Sequence, residues 1–174
     1  MNYTIEDLSI ENANEYAKVN ALAWKQAYKG IVDGEYLEEI NTAESIEKLT
    51  EKLKGYVVNN PDHFFLLRVE GKPVGVLCVR NSKFENYQDC GELGAIYLLD
   101  EVKGKGYGKV LFQKTVEEVK KMGYKRLING CLEGNPSNEF YKHMGGKLVG
   151  TTSFKIPNGQ VLIENIYYYD DIEK

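Results

Sequence analysis

Leu98-Leu99-Asp100-Glu101-Val102-Lys103-Gly104-Lys105-Gly106-Tyr107-Gly108-Lys109 carries three glycines and three lysines in its last seven residues. Residues 91–98, just before, form an apolar run of strand character. After it, residues 107–122 repeat apolar side chains at the helical period, with Leu111, Phe112, Thr115, Val119 and Met122 on one face. The stretch is therefore a strand-to-helix corner. Gly104, Gly106 and Gly108 let the backbone turn tightly and present its N–H groups with no Cβ in the way. The first N–H groups of a helix have no intrahelical partner, and the helix dipole adds positive potential there. A pyrophosphate suits such a corner. Lys103, Lys105 and Lys109 add formal charge around it.

Two phosphate motifs can be excluded. A P-loop needs glycine six residues before its lysine, but Leu99 and Lys103 stand at those places. The dinucleotide fingerprint needs a third glycine where Lys109 or Leu111 stands.

Outward from the corner, residues 64–69 and 73–80 are β-rich runs around Glu70-Gly71-Lys72, a hairpin signal. Gly94 suits a bulge in the next strand. Residues 3–5 read as a short strand. Residues 12–28 read as a helix with Ala13, Tyr16, Ala17, Ala23, Trp24 and Ala27 on one face. Residues 42–54 read as a second helix, and a helical turn at 36–40 joins the two. Asn12/Glu15 and Asn41/Glu44 resemble capping boxes, and Gly55 stands as a stop signal. Lys114/Glu118 and Glu117/Lys121 are spaced as exposed helical pairs. Beyond the corner come a strand at 126–132, a short helix at 138–144 closed by Gly145-Gly146, and a hairpin of 147–156 with 160–168. The order is β-α-α-β-β-β-α-β-α-β-β. That is an α+β fold, a mixed and mostly antiparallel central sheet flanked by helices, expected to form a single domain over residues 1–174.

An apolar fraction of 43% and a charged fraction of 28% over 174 residues suit a soluble domain with one sizeable core. No apolar run is long enough to span a bilayer, and the N-terminus lacks a basic patch followed by an apolar stretch. The expected location is cytoplasmic, with no membrane partner. Cys78, Cys90 and Cys131 lack metal-ligand spacing, and His63 and His143 are far apart in sequence, so no metal is expected. A net charge of −4, from 22 basic and 26 acidic residues, weighs against a nucleic-acid partner. It is mildly compatible with a cationic acceptor.

The corner resembles the central motif of the Gcn5-related N-acetyltransferases, [Q/R]-x-x-G-x-[G/A], here Lys103-Gly104-Lys105-Gly106-Tyr107-Gly108. Lysine replaces the family's first residue, keeping the charge but not the planar fork. Ile96-Tyr97-Leu98-Leu99-Asp100-Glu101 resembles the family's strand ending, with Asp100 where proline is frequent. Asn135 through Gly146 resembles a second segment, N-x-x-A-x-x-F-Y-x-x-x-G-F, although Phe140-Tyr141 arrive one residue early. Trp24-Lys25-Gln26-Ala27-Tyr28-Lys29-Gly30-Ile31 follows a W-x-x-A-Y-x-G-I pattern of many bacterial members.

The resemblance implies acetyl transfer from acetyl-CoA to an amine by direct attack. It implies that the backbone of Ile96, Tyr97 and Leu98 bonds the pantetheine arm and that the segment from Lys103 to Lys109 grips the pyrophosphate. Asn135, with Asn138 and Tyr141 beside it, contacts the cofactor. Tyr141 matches the family's usual general acid. Glu92 stands where histone-type members carry a base on this strand, with a water chain as the alternative and His143 as a weaker candidate. Trp24 and Tyr28 are candidates for the acceptor pocket. The acceptor implied is a small amine (a polyamine, amino sugar or amino-acid derivative), with a protein N-terminus or lysine as the alternative. A non-catalytic acyl-CoA sensor is the reading of another class. The aromatic final hairpin, Tyr167, Tyr168 and Tyr169, suggests a homodimer interface.

Overall fold

The computed structural model describes residues 2–59 and 62–173. Strand β1 (Tyr3–Asp7) leads into three helices, α1 (Ala13–Ala27), α2 (Gly34–Glu39) and α3 (Ala43–Asn59). Strands β2 (His63–Val69), β3 (Lys72–Asn81) and β4 (Gly91–Leu98) follow, then helix α4 (Tyr107–Lys121) and strand β5 (Leu127–Leu132). Helix α5 (Ser137–His143) and the hairpin of β6 (Lys147–Lys155) and β7 (Val161–Tyr169) complete the chain. The seven strands form one sheet in the order β1-β2-β3-β4-β5-β7-β6. Its neighbours are antiparallel except β4 and β5, which is the mixed, mostly antiparallel α+β sheet expected.

Successive side chains on a strand point to opposite faces, so β3 serves two cores at once. Leu77 and Val79 pack with Leu111 and Val119 of α4. Val76, one position away, packs with Ala13, Tyr16 and Ala17 of α1 and Leu53 of α3. Burying each such aliphatic side chain contributes roughly 1.5–3 kcal/mol. A one-residue slip of β3 would exchange both sets, so the register is pinned from both sides.

Several local expectations are corrected by tertiary contacts. The Asn12 side chain does not cap α1; its Oδ1 accepts from Ser9 N–H and its Nδ2 donates to Asp7 O. Glu15, the other half of that capping box, instead receives both terminal nitrogens of Arg68. At α3 the side-chain acceptor is Thr42, whose Oγ1 receives Ser45 N–H, while Asn41 donates to Ala21 O and Leu37 O. Gly55 does not end α3, which continues to Asn59 because Tyr56 stacks on Phe64 at 5.4 Å. Lys114 and Glu118 do pair, but Glu118 is buried and Lys114 lies over the Phe65 ring.

The feature that matters most is where β4 and β5 part. They pair in parallel only over Gly91, Glu92 and Leu93 against Leu127, Ile128 and Asn129. There β4 carries the bulge expected at Gly94: Val79 faces Leu93 and Cys78 faces Ala95, leaving Gly94 as the extra residue. Beyond it, β4 keeps β3 on one edge and, among the described residues, pairs with no strand on the other. No helix of the described residues is long and apolar enough to cross a membrane.

Candidate active site

The gap between the diverging strands is a cleft of about 560 Å³. One wall is the unpaired stretch of β4, lined by Gly94, Ala95, Ile96, Tyr97 and Leu98. These residues are half-buried, whereas Gly91, Glu92 and Leu93, still flanked by β5, are buried. The opposite wall is Gly130 and Cys131 of β5, then Asn135, Phe140 and Tyr141. One end of the cleft is the glycine corner.

At that corner Gly104 and Gly106 have φ of 75° and 92°, the left-handed region that L side chains rarely occupy. They form the turn that leads into α4. Among the described residues, the N–H groups of residues 104–109 find no acceptor. Six consecutive donors, with the positive end of a fifteen-residue helix behind them, have the chemistry that suits an anion. Lys109 lines the cleft and Lys105 is exposed nearby. Lys103 also lines it, but its ammonium is held by Asp100 at 2.8 Å.

The second segment closes the cleft from the β5 side. Asn135 Oδ1 accepts from Ser137 N–H at 2.9 Å, which opens α5. Its amide nitrogen donates to none of the described residues, so it is available to a ligand. Tyr141 is 7% exposed, its ring 5.4 Å from Phe140 and 6.0 Å from Tyr167. Burial pushes its phenol well above the ordinary range, so it keeps its proton.

The matching model is that of the acetyltransferase (GNAT) family, over residues 24–146. The chain belongs to that family. GNAT membership makes it an acetyl-CoA-dependent N-acetyltransferase. It is 29% identical over 154 residues to an uncharacterised N-acetyltransferase, YuaI, of Bacillus subtilis, covering 88% of this chain and 85% of that one. An uncharacterised N-acetyltransferase of Methanocaldococcus jannaschii, MJ1207, is 26% identical over 147 residues; the match spans 82% of this chain but only 60% of that protein. The fold resembles that of the PaiA N-acetyltransferase of Thermoplasma acidophilum in complex with coenzyme A, with a TM-score of 0.67 and 22% identity over 94% of this chain and 98% of that one. It also resembles YncA of Salmonella typhimurium with acetyl-CoA, at a TM-score of 0.71 and 12% identity over 100% and 96% of the two chains.

Not every GNAT-motif residue reaches the cleft. Tyr107 turns its ring into the core, 4% exposed and 6.1 Å from the Tyr3 ring, so only its N–H serves the corner. Asn138 has its side chain fully engaged: Nδ2 donates to Leu132 O and Asn135 O, and Oδ1 accepts from Asn165 and Tyr167. It fastens α5 to β5 and β7 and offers nothing to a ligand. Tyr28 lines the cleft and donates its hydroxyl to Tyr97 Oη at 3.0 Å. Trp24 stands behind it, 4.8 Å from the Tyr28 ring. Tyr97 thus brings its side chain to the Tyr28 hydroxyl as well as its backbone to the cleft, and burial raises its phenol to about 12.

Glu92 is corrected. It lies on the still-paired part of β4, outside the cleft lining. Its carboxylate accepts from Arg80 Nη2 at 2.7 Å and from Lys83 N–H at 2.8 Å, and its side chain is 2% exposed. Sequence spacing placed it on the right strand, but the strand across the bulge supplies an arginine that occupies it. Replacing Glu92 by alanine should destabilise the fold by about 2–3 kcal/mol, because Arg80 loses its partner while staying partly open to water. Urea titration checks this. Loss of turnover at unchanged stability would restore Glu92 to the chemistry. His143, at the last turn of α5, also lies outside the cleft lining. The described residues hold no cluster suited to a metal ion.

Proposed function

We propose that the chain acetylates a primary amine of a small molecule by direct attack within a ternary complex, and that it works in the cytoplasm, where buried free thiols such as Cys78, Cys90 and Cys131 persist. The observation that carries the cofactor half is the row of unpartnered N–H groups at one end of the cleft. They suit a diphosphate, and Lys105 and Lys109 add charge to it. Acetyl-CoA supplies the activated acetyl thioester. The free edge of β4 offers Ile96, Tyr97 and Leu98 as backbone partners for the pantetheine arm, with a donor for the oxygen that gains charge as the amine attacks. Asn135 offers its amide nitrogen from across the cleft.

In the reaction, the amine nitrogen forms the bond to the acetyl carbon and the carbon–sulfur bond breaks, its electron pair going to sulfur. Tyr141 donates its proton to that sulfur. Of the two protons the ammonium loses, one restores Tyr141 and the other leaves to water. Glu92 takes no part. The acceptor enters on the α1 side, where Trp24, Tyr28 and Tyr97 form an aromatic wall with ring centroids 4.8–6.0 Å apart. Such an aromatic wall suits a small amine.

Incubating the protein with acetyl-CoA and a panel of polyamines, amino sugars and amino-acid amines should release free thiol with at least one class. If thiol appears only with peptides or folded proteins, the small-amine reading fails.

A further inference from the structure

Glu164, on β7, is used by nothing above. It sits opposite Leu132 of β5 and shares the sheet face of Leu162 and Ile166, the face that carries the Trp24, Tyr28 and Tyr97 wall. Its side chain reaches over β5 because Gly130 has no side chain: a Cβ there would fall on the Glu164 carboxyl group. Gly130 itself lines the cleft. The glycine thus leaves room for a carboxylate from the next strand to lie over β5, against a residue that lines the cleft, although Glu164 itself is not one of the lining residues.

That carboxylate is incompletely satisfied. The side chain is 13% exposed, and its Oε1 is buried without a hydrogen-bond partner among the described residues. Lys83 Nζ lies 3.4 Å away, close enough for charge pairing but not aimed as a hydrogen bond. A buried polar atom without a partner costs free energy, and in a native fold it calls for a reason. The neighbouring carboxylate on this face, Glu92, shows the contrast, taking Arg80 and a backbone N–H. Burial first, and then the Glu164 carboxylate, raise the Cys131 thiol to about 12, and the same charge helps raise Tyr97. Both side chains line the cleft.

We infer that Glu164 is the carboxylate that receives the ammonium group of the acceptor, in the room left by Gly130 and beside the aromatic wall of Trp24, Tyr28 and Tyr97. An ammonium supplies the donor that Oε1 lacks, and aromatic faces favour a cation beside them. The site therefore selects an amine that arrives protonated on a slender chain, and rejects carboxylate-bearing amines by like charge. This rests on the amine acetylation proposed above.

Steady-state kinetics with the best amine of the panel, and calorimetric binding of acetyl-CoA, test it in the wild-type, Glu164→Gln and Lys83→Met proteins. Glu164→Gln should raise KM for the amine on the order of tenfold to a hundredfold, with the Kd for acetyl-CoA within about twofold. Lys83→Met frees the carboxylate and should leave the amine KM unchanged or lower it. A purely structural Lys83–Glu164 pair predicts equal losses of stability from both variants and no selective change in KM, which would overturn the inference. If Glu164→Gln does not fold, Glu164→Asp keeps the charge one methylene back and should raise KM less than tenfold; no rise overturns it equally. If the wild-type protein binds acetyl-CoA yet turns over no amine, the acetylation reading fails on its own. Amine binding to the coenzyme A complex of wild-type and Glu164→Gln proteins then decides Glu164 separately: binding lost in the variant supports the site, and equal or absent binding overturns it.

Discussion

Valine in place of Gly106 is expected to lower the affinity for acetyl-CoA by at least about a hundredfold, which is about 2.7 kcal/mol of binding free energy. Gly106 stands immediately before α4 with φ of 92°. An L residue there costs roughly 1–2 kcal/mol, more for a β-branched one, so the backbone would relax out of the left-handed region. Relaxation re-aims the N–H groups that follow, and those are the groups proposed to hold the diphosphate. A Cβ at this position meets no protein atom within 4 Å. It would project into the space the ligand needs while leaving the core untouched. Folding should therefore suffer little, with a melting temperature lower by only a few degrees, while binding suffers greatly. Calorimetric titration with acetyl-CoA and with coenzyme A reads both affinities; the loss should be the same for the two, because the acetyl group is not at the corner. An affinity within threefold of wild type would mean that the diphosphate is held elsewhere.

The corner was legible in the sequence because its chemistry is local. Three glycines between an apolar strand and an amphipathic helix fix a turn whatever surrounds them, and the unpartnered donors follow from helix geometry. The bulge at Gly94 was legible for the same reason. What sequence spacing missed depends on partners distant in the chain. Glu92 stands at a plausible distance from Lys103, but its fate is set by Arg80 across the bulged pairing of β3 and β4. Asn138 falls inside the ligand motif, yet Tyr167 and Asn165, brought alongside by β7, occupy it. Gly55 stops an isolated helix, and a stacked Tyr56–Phe64 pair from the next strand overrides it. Glu164 gave no signal because its meaning comes from a missing side chain on the adjacent strand. A glycine inside a β-run is the sequence feature that marks such close approach, and Gly130 in the run from Leu127 to Leu132 is that mark.

Phenylalanine in place of Tyr141 should lower kcat by about a hundredfold to a thousandfold, within the range of a lost general acid, and leave the KM for acetyl-CoA within about threefold. The ring would keep its packing against Phe140 and Tyr167. The hydroxyl donates to none of the described residues, so no internal bond is lost and stability should hold. Burial raises the phenol above its usual value near 10. A raised value means the neutral, proton-bearing form persists to higher pH, so the wild-type kcat should show no alkaline limb from Tyr141 below about pH 10. A buried phenol is a weaker acid, but the burial that opposes phenolate also opposes a free thiolate in the same cleft. Both protonated forms are favoured together, and proton transfer need only keep pace with carbon–sulfur cleavage. The variant should therefore fail at the step where negative charge reaches sulfur, and an acyl donor with a more acidic thiol should recover part of the loss. Turnover within threefold of wild type would assign that proton to water instead.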